Sequence, residues 1–330
     1  MSLFLDSLQI ENYRGFRNLC IERLGRANLF VGRNNTGKSS ILEAVRLLAS
    51  RGSEEVLWAI LESHDEIRAG TSHPENRLYA IRQLVHGRKW FDAEIRIGAM
   101  DDPRKSLAIK IRDEEIVTTV GNSQRHLSLE TEARTRDITS LETKLRQAYV
   151  PPEGLTAETS ARLWDLITLT DLEQSVIEAL RIISPDIERI SFIGEHGQAR
   201  IPMAKLANQA RPIPLRSLGD GVGRMLGIAL SLVSARGGVL LLDEVENGIH
   251  FTAQEQLWQL IFRLAHELNT QVFATSHSWD CIEAFQQAAA LDPNEEAVLV
   301  RLDVHRDAIT PTSFSERDLS IVTRDQIEVR

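Results

Sequence analysis

The stretch Gly32-Arg33-Asn34-Asn35-Thr36-Gly37-Lys38-Ser39 decides how this chain is read. It fits the spacing G-x-x-x-x-G-K-[ST], and it stands between two segments of different character. Before it, Ala27-Asn28-Leu29-Phe30-Val31 is a short apolar run ending at a glycine, the pattern of a buried strand. After it, Ile41, Leu42, Val45, Leu48 and Ala49 recur at the helical period, so residues 38–50 read as a helix. Strand, glycine loop and helix in that order make a phosphate cradle. Glycines let the backbone curl so that its N–H groups face phosphate oxygens, and the helix turns its positive end to the same anion. Lys38 is expected on the β- and γ-phosphates and the Ser39 hydroxyl on Mg²⁺. Gly32, Asn34, Asn35, Thr36, Gly37 and Ser40 complete the expected nucleotide-binding set. With glycine near 7% of residues, a chance match in one chain is roughly one in a hundred.

Downstream, Val239-Leu240-Leu241-Leu242-Asp243-Glu244 puts two carboxylates at the end of an apolar run. Ligands sit at the carboxyl ends of strands in open α/β sheets. Asp243 is therefore expected to hold Mg²⁺, and Glu244 to polarise a water for attack on the γ-phosphate. Ser217-Leu218-Gly219-Asp220-Gly221 lies one helix upstream, where a second helix start offers anion-binding N–H groups or a plain N-cap. His277 follows the apolar run 270–275, at a strand end that reaches the γ-phosphate from the side.

Outward from these motifs the chain reads as alternating strands and helices. Leu8, Ile10, Leu19 and Ile21 suggest an opening hairpin around Tyr13-Arg14-Gly15, which sets Asn12 and Arg14 near the nucleotide if the hairpin covers the loop. Residues 223–235, 252–268 and 278–290 read as helices, and 238–242, 270–275 and 297–303 as strands. That alternation argues for a mostly parallel, covered sheet. Between about 51 and 204 the pattern is less regular. Short helices fit 55–62 and 76–85. Phe91, Ala93, Ile95 and Ile97, then Leu107, Ile109 and Ile111, alternate as strands. Residues 121–149 are polar and without period, and 155–183 carries a helical pattern. The expected division is a nucleotide-binding domain from 1–50 and 205–330, with 51–204 an inserted β/helical lobe.

The chain has 330 residues, 42% hydrophobic and 26% charged, enough to bury a full core. Its net charge of −9 argues against a general DNA-coating role, and 5% aromatics against a base-stacking platform. A local basic groove remains compatible with both figures. No apolar run approaches the ~18–20 residues of a membrane span, so no membrane association is expected. Cys20 and Cys281 cannot make a disulfide framework and read as reduced thiols, which with the polar N-terminus points to the cytoplasm.

In this order the motifs resemble those of the ABC-type ATPase heads of the SMC, RecF and OLD (overcoming lysogenization defect) families, most of all the stand-alone OLD-type ATPases. GRNNTGKSS is similar to their Walker A, SLGDG to a compact ABC signature, LLLDEVENGIH to Walker B with its D-loop, ATSHS to the switch histidine, and ENYRGFRNL to the opening hairpin. The resemblance covers roughly residues 1–50 and 205–290. It implies an α/β P-loop NTPase fold of the ABC-head type, with an antiparallel β subdomain. It also implies an ATPase using ATP and Mg²⁺, with Glu244, His277 and Lys38 catalytic. Two copies are expected to dimerise head-to-tail, with Ser217, Gly219 and Gly221 contacting the other subunit's ATP, and His250 in a loop crossing to it. The signature lacks the usual glutamine. A glutamine lid belongs near the start of the insertion, with Gln83 one candidate position. Neither a C-terminal Toprim domain nor a long coiled coil is expected. That leaves a head acting on a separately encoded effector, such as a Toprim-like nuclease in anti-phage defence. The alternative is a slow nucleotide switch that scaffolds DNA binding or repair. In either case Arg125, Arg134, Arg136, Lys144 and Arg146 are expected to engage the partner or nucleic acid.

Overall fold

The computed structural model describes residues 3–67, 73–88, 93–112, 115–121, 123–127, 146–194, 199–291, 296–306 and 308–314. In chain order, β1 (Leu8–Tyr13) and β2 (Phe16–Ile21) form a hairpin, followed by β3 (Ala27–Val31) and α1 (Lys38–Ala49). Then come α2 (Glu54–Ser63), α3 (Pro74–Arg82), β4 (Ala93–Gly98), β5 (Ser106–Arg112), β6 (Glu115–Val120) and β7 (Ser123–Leu127). The middle of the chain holds β8 (Gln147–Val150), α4 (Ala157–Asp165), α5 (Asp171–Arg181), β9 (Ile187–Ile193), β10 (Ile201–Leu206) and β11 (Ile213–Pro214). The last part is α6 (Asp220–Ser234), β12 (Val239–Leu242), α7 (Phe251–Glu267), β13 (Gln271–Thr275), α8 (Trp279–Ala289), β14 (Ala297–His305) and β15 (Ala308–Phe314).

The central sheet runs β15-β14-β3-β13-β12-β8. All its pairings are parallel except the β14–β15 hairpin at one edge. Its inner strands are apolar on both faces because both faces are covered. Leu29 and Val31 face one hydrophobic core while Phe30 faces the other. Leu240 and Leu242 likewise part from Val239 and Leu241, and Val272 and Ala274 from Phe273. Phe30 and Phe273 stack across neighbouring strands with ring centroids 6.4 Å apart. The first core contains the inward faces of α5, α6, α7 and α8. The second contains α1, α2 and the opening hairpin. The parallel strands thus end together on one side, where the loops after β3, β12 and β13 hold the candidate site residues.

The 51–204 stretch is not one inserted lobe. β4 pairs with β1, and the antiparallel sheet continues as β2-β1-β4-β5-β6-β7, so the first part of the stretch completes the subdomain that the hairpin begins. β8 joins the central sheet beside β12, and α4 and α5 pack on α6. The pairing of β8 is non-local, which is why its four residues are not recognised within a polar segment. The helical pattern over 155–183 is two helices, interrupted at Leu169, whose φ is +65°. α4 is capped by the Thr156 side chain, which accepts from Thr159 N. Phe91, Arg134, Arg136 and Lys144 lie outside the described residues. Among the described residues, no helix is long and apolar enough to cross a membrane.

Candidate nucleotide site

α1 starts at Lys38 with Gly37 as its N-cap, at φ +88°. That backbone conformation suits glycine. Its space is also closed: a Cβ on Gly37 would stand 2.6 Å from Cζ of Phe16, so the opening hairpin sits against the loop. Gly32, at φ +144°, is equally confined, since a Cβ there would meet the Leu302 carbonyl at 2.6 Å. No acidic residue occupies the first turn of α1, which leaves its positive end to an anion. The Lys38 ammonium donates to the carbonyls of Gly32 (2.8 Å) and Arg33 (3.0 Å), curled over its own loop. Burial holds Lys38 below the ordinary lysine value, against the pull of Glu244, Asp243 and Glu246. Thr36 closes the loop by donating to the Arg33 carbonyl at 2.9 Å.

The ends of β12 and β13 meet this loop. The Ser39 hydroxyl donates to Asp243 Oδ1 at 3.2 Å. The Thr275 hydroxyl donates to the same oxygen at 2.5 Å and accepts from Glu244 N at 2.8 Å, stitching the two strand ends together. Burial raises the Asp243 carboxyl above its ordinary value, and the Thr275 and Ser39 hydrogen bonds offset part of that. A buried carboxylate beside a hydroxyl is an oxygen donor set that suits a hard divalent cation, so Ser39 and Asp243 fit Mg²⁺. Glu244 follows at φ +47°, a strained conformation for a residue with a Cβ. Its Oε2 accepts from Asn247 Nδ2 at 2.6 Å, while Oε1 lies 3.8 Å from His277 Nδ1. Lys38, Ser39, Asp243, Glu244 and His277, singled out from sequence, are thus brought together.

The SLGDG segment is less uniform. Leu215–Leu218 is a turn of 3₁₀ helix, Ser217 is exposed, and Gly219 at φ +103° is the N-cap of α6 with open space where a Cβ would lie. Gly221 instead packs in its own chain, since a Cβ there would meet the Gly248 carbonyl at 2.6 Å. His250 caps α7, and its ring nitrogen accepts from Thr252 N.

Arg14 departs from expectation. Its Nε donates to Glu43 Oε2 at 2.6 Å, and its Nη1 and Nη2 donate to Glu66 at 2.9 and 3.2 Å, so its guanidinium is taken up by carboxylates rather than offered to phosphate. The neighbouring Asn12 side chain donates to the Glu94 carbonyl. Gln83 is the C-cap of α3 and donates to the Tyr79 carbonyl, so it serves its own helix.

Sequence reasoning missed four residues that hold the site. Thr275 and Asn247 are described above. Tyr149, on β8, directs its hydroxyl toward Asp243 Oδ2 at 3.5 Å, with the Arg46 guanidinium 4.8 Å over its ring. Arg224, from the first turns of α6, donates to the carbonyls of Asp243 (2.7 Å), Glu244 (2.9 Å) and Pro151. Arg224 alone had a local signal, a cation in the apolar run that follows SLGDG.

Comparison with known proteins bears on the fold and the activity. Residues 3–147 match the family described as "AAA ATPase domain", and residues 205–280 the family described as "AAA domain, putative AbiEii toxin, Type IV TA system". A relative from Helicobacter pylori called "ATP/GTP phosphatase" is 22% identical over 86% of this chain and 88% of its own. The DNA replication and repair protein RecF of Clostridioides difficile is 29% identical over 26% of this chain and 24% of its own. Among solved structures, an SMC head bound to the C-winged helix domain of ScpA superposes with a TM-score of 0.58 at 12% identity, over 94% of this chain and 97% of that one. The Smc head of Pyrococcus furiosus bound to the C-terminal domain of ScpA gives 0.54 at 10% identity, over 98% and 99%. The phosphate loop, the acidic strand end and these AAA-type matches mark the chain as a P-loop ATPase, and its fold is similar to that of SMC heads.

Proposed function

We infer that two copies of this chain close head-to-tail on ATP and that the ATP-bound dimer controls a separately encoded effector in the cytoplasm. The observation that carries the reading is the convergence of Lys38, Ser39, Asp243 and Glu244, set against an exposed Ser217 and a Gly219 with open space beside it on the same chain. Lys38 releases its two carbonyls to hold the β- and γ-phosphates. Ser39 and Asp243 would hold Mg²⁺, which would supply positive charge against the phosphate oxygens. Glu244 takes the proton of the attacking water as the new Pγ–O bond forms and the bond to the β-phosphate oxygen breaks, releasing ADP. His277 contacts the γ-phosphate, and Ser217 and Gly219 of the second copy approach it from the other side. The AbiEii-type description of residues 205–280 supports a role beside a second protein in defence, a Toprim-like nuclease being one such effector. SMC heads bound to ScpA domains support partner docking on this fold.

The test is light scattering of Glu244→Gln with ATP and Mg²⁺, beside the same variant carrying Ser217→Arg. Loss of the base slows hydrolysis by ~10²–10⁴-fold and leaves ATP in place. A dimer in the first protein and a monomer in the second are expected. A mass indifferent to both ATP and Ser217 would refute the head-to-tail arrangement.

A further inference from the structure

Glu246 lies two residues beyond the base and has no task in hydrolysis as described above. It is 8% exposed, and its two oxygens are used unequally. Oε1 accepts from the Ser276 hydroxyl at 2.7 Å and from His277 N at 3.1 Å. Oε2 is buried and has no hydrogen-bond partner. Buried carboxylate oxygens rarely stand without a donor. Beside this carboxylate stands the imidazole of His277, which is 51% exposed and whose Nδ1 lies 3.5 Å from Glu246 Oε1 and 3.8 Å from Glu244 Oε1. Neither distance is that of a formed hydrogen bond. The ring rests between two carboxylates and is fixed by neither.

The two carboxylates are not equivalent. Glu244, the proposed base, is tethered by Asn247, whereas Glu246 is anchored to the very segment that carries the ring. We propose that Glu246 is the positioning residue of His277. When nucleotide fills the loop, its carboxylate accepts Nδ1–H and so turns Nε2 toward the γ-phosphate. The two ring nitrogens point in different directions, and a hydrogen bond at one sets the aim of the other. Because the same carboxylate also holds the His277 backbone N–H, ring and backbone are registered on a single group. The proposal rests on His277 being the γ-phosphate contact.

Steady-state ATPase kinetics of Glu246→Ala, Glu246→Gln, His277→Ala and the double variant Glu246→Ala/His277→Ala test it, with thermal melting to confirm folding. Glu246→Ala is expected to lower kcat by ~10–100-fold, the usual cost of losing an outer orienting group, with KM within about twofold. Glu246→Gln keeps an acceptor oxygen and is expected to restore most of kcat. In the His277→Ala background, Glu246→Ala should cost nothing more, because its effect runs through the ring. Multiplying losses in the double variant, or wild-type kcat in a folded Glu246→Ala protein, would overturn the proposal while leaving the His277 reading intact. Wild-type turnover in His277→Ala would overturn that reading and the proposal with it. Should Glu246→Ala not fold, Glu246→Asp draws the carboxylate back by one methylene and must show the same kcat-only loss with the same dependence on His277.

Discussion

Replacing Glu43 by Gln tests whether the helix that bears the phosphate loop is anchored electrostatically to the β subdomain. Glu43 sits on α1, close after Lys38 and Ser39, and is buried. It accepts from Tyr13 Oη at 2.9 Å, from Arg14 Nε at 2.6 Å and from His64 Nε2. Burial alone would raise its pKa, but the hydrogen bond from His64 and the charge of Arg14 outweigh burial and hold the carboxyl below its ordinary value. Glutamine keeps the volume and one acceptor but removes the charge. Removing one partner of a buried ion pair costs about 3–5 kcal/mol. Arg14 keeps both of its bonds to Glu66, so the lower end, about 3 kcal/mol, is expected here. Urea unfolding of wild type and Glu43→Gln measures the difference. A loss under about 1 kcal/mol would refute the anchor, since it would equal an exposed pair. The pH dependence is a second check. A depressed Glu43 contributes stability above its ordinary 4.5 and loses it as pH falls through its folded pKa. The Glu43 hydrogen bond raises His64, so that contribution is full below the ordinary 6.5 and is lost as pH rises through the folded pKa. The gap between the two proteins should therefore be widest between pH 4.5 and 6.5. A gap unchanged from about pH 3 to about pH 9 would contradict the assignment.

Two further outcomes follow from the site. Lys38→Ala should weaken ATP binding and cut hydrolysis by ~10²-fold or more while melting near wild type, read by nucleotide titration and phosphate release; wild-type-like turnover would remove the phosphate loop from the mechanism. Thr275→Val should cost about 2–3 kcal/mol in urea, because it leaves Asp243 Oδ1 without its shortest donor and Glu244 N without an acceptor. An unchanged midpoint would mean that Thr275 does not join the two strand ends.

The phosphate loop was legible because everything it needs is local: β3, the glycines and α1 occupy one run of about 20 residues, and apolar period alone separates strand from helix. The same holds for β12 with Asp243 and Glu244, and for β13 with His277. What stayed hidden depends on contacts between distant residues. Arg14 looks the same in sequence whether it meets a phosphate or a carboxylate, and the choice rests with Glu43 and Glu66. β8 has four residues and no pattern of its own; its place follows from pairing with β12. Thr275, Asn247 and Tyr149 are ordinary residue types whose importance comes from what the strand ends bring beside them.

The backbone at Glu244 carries a consequence for how such a chain evolves. At φ +47° a side chain costs about 1 kcal/mol that glycine would not incur, and the position stands at a turn where glycine fits the dihedral. Selection for thermal endurance alone would therefore favour glycine there, and every step toward it would discard the carboxylate. With Glu244 as the proposed base, endurance and turnover pull in opposite directions at this one codon.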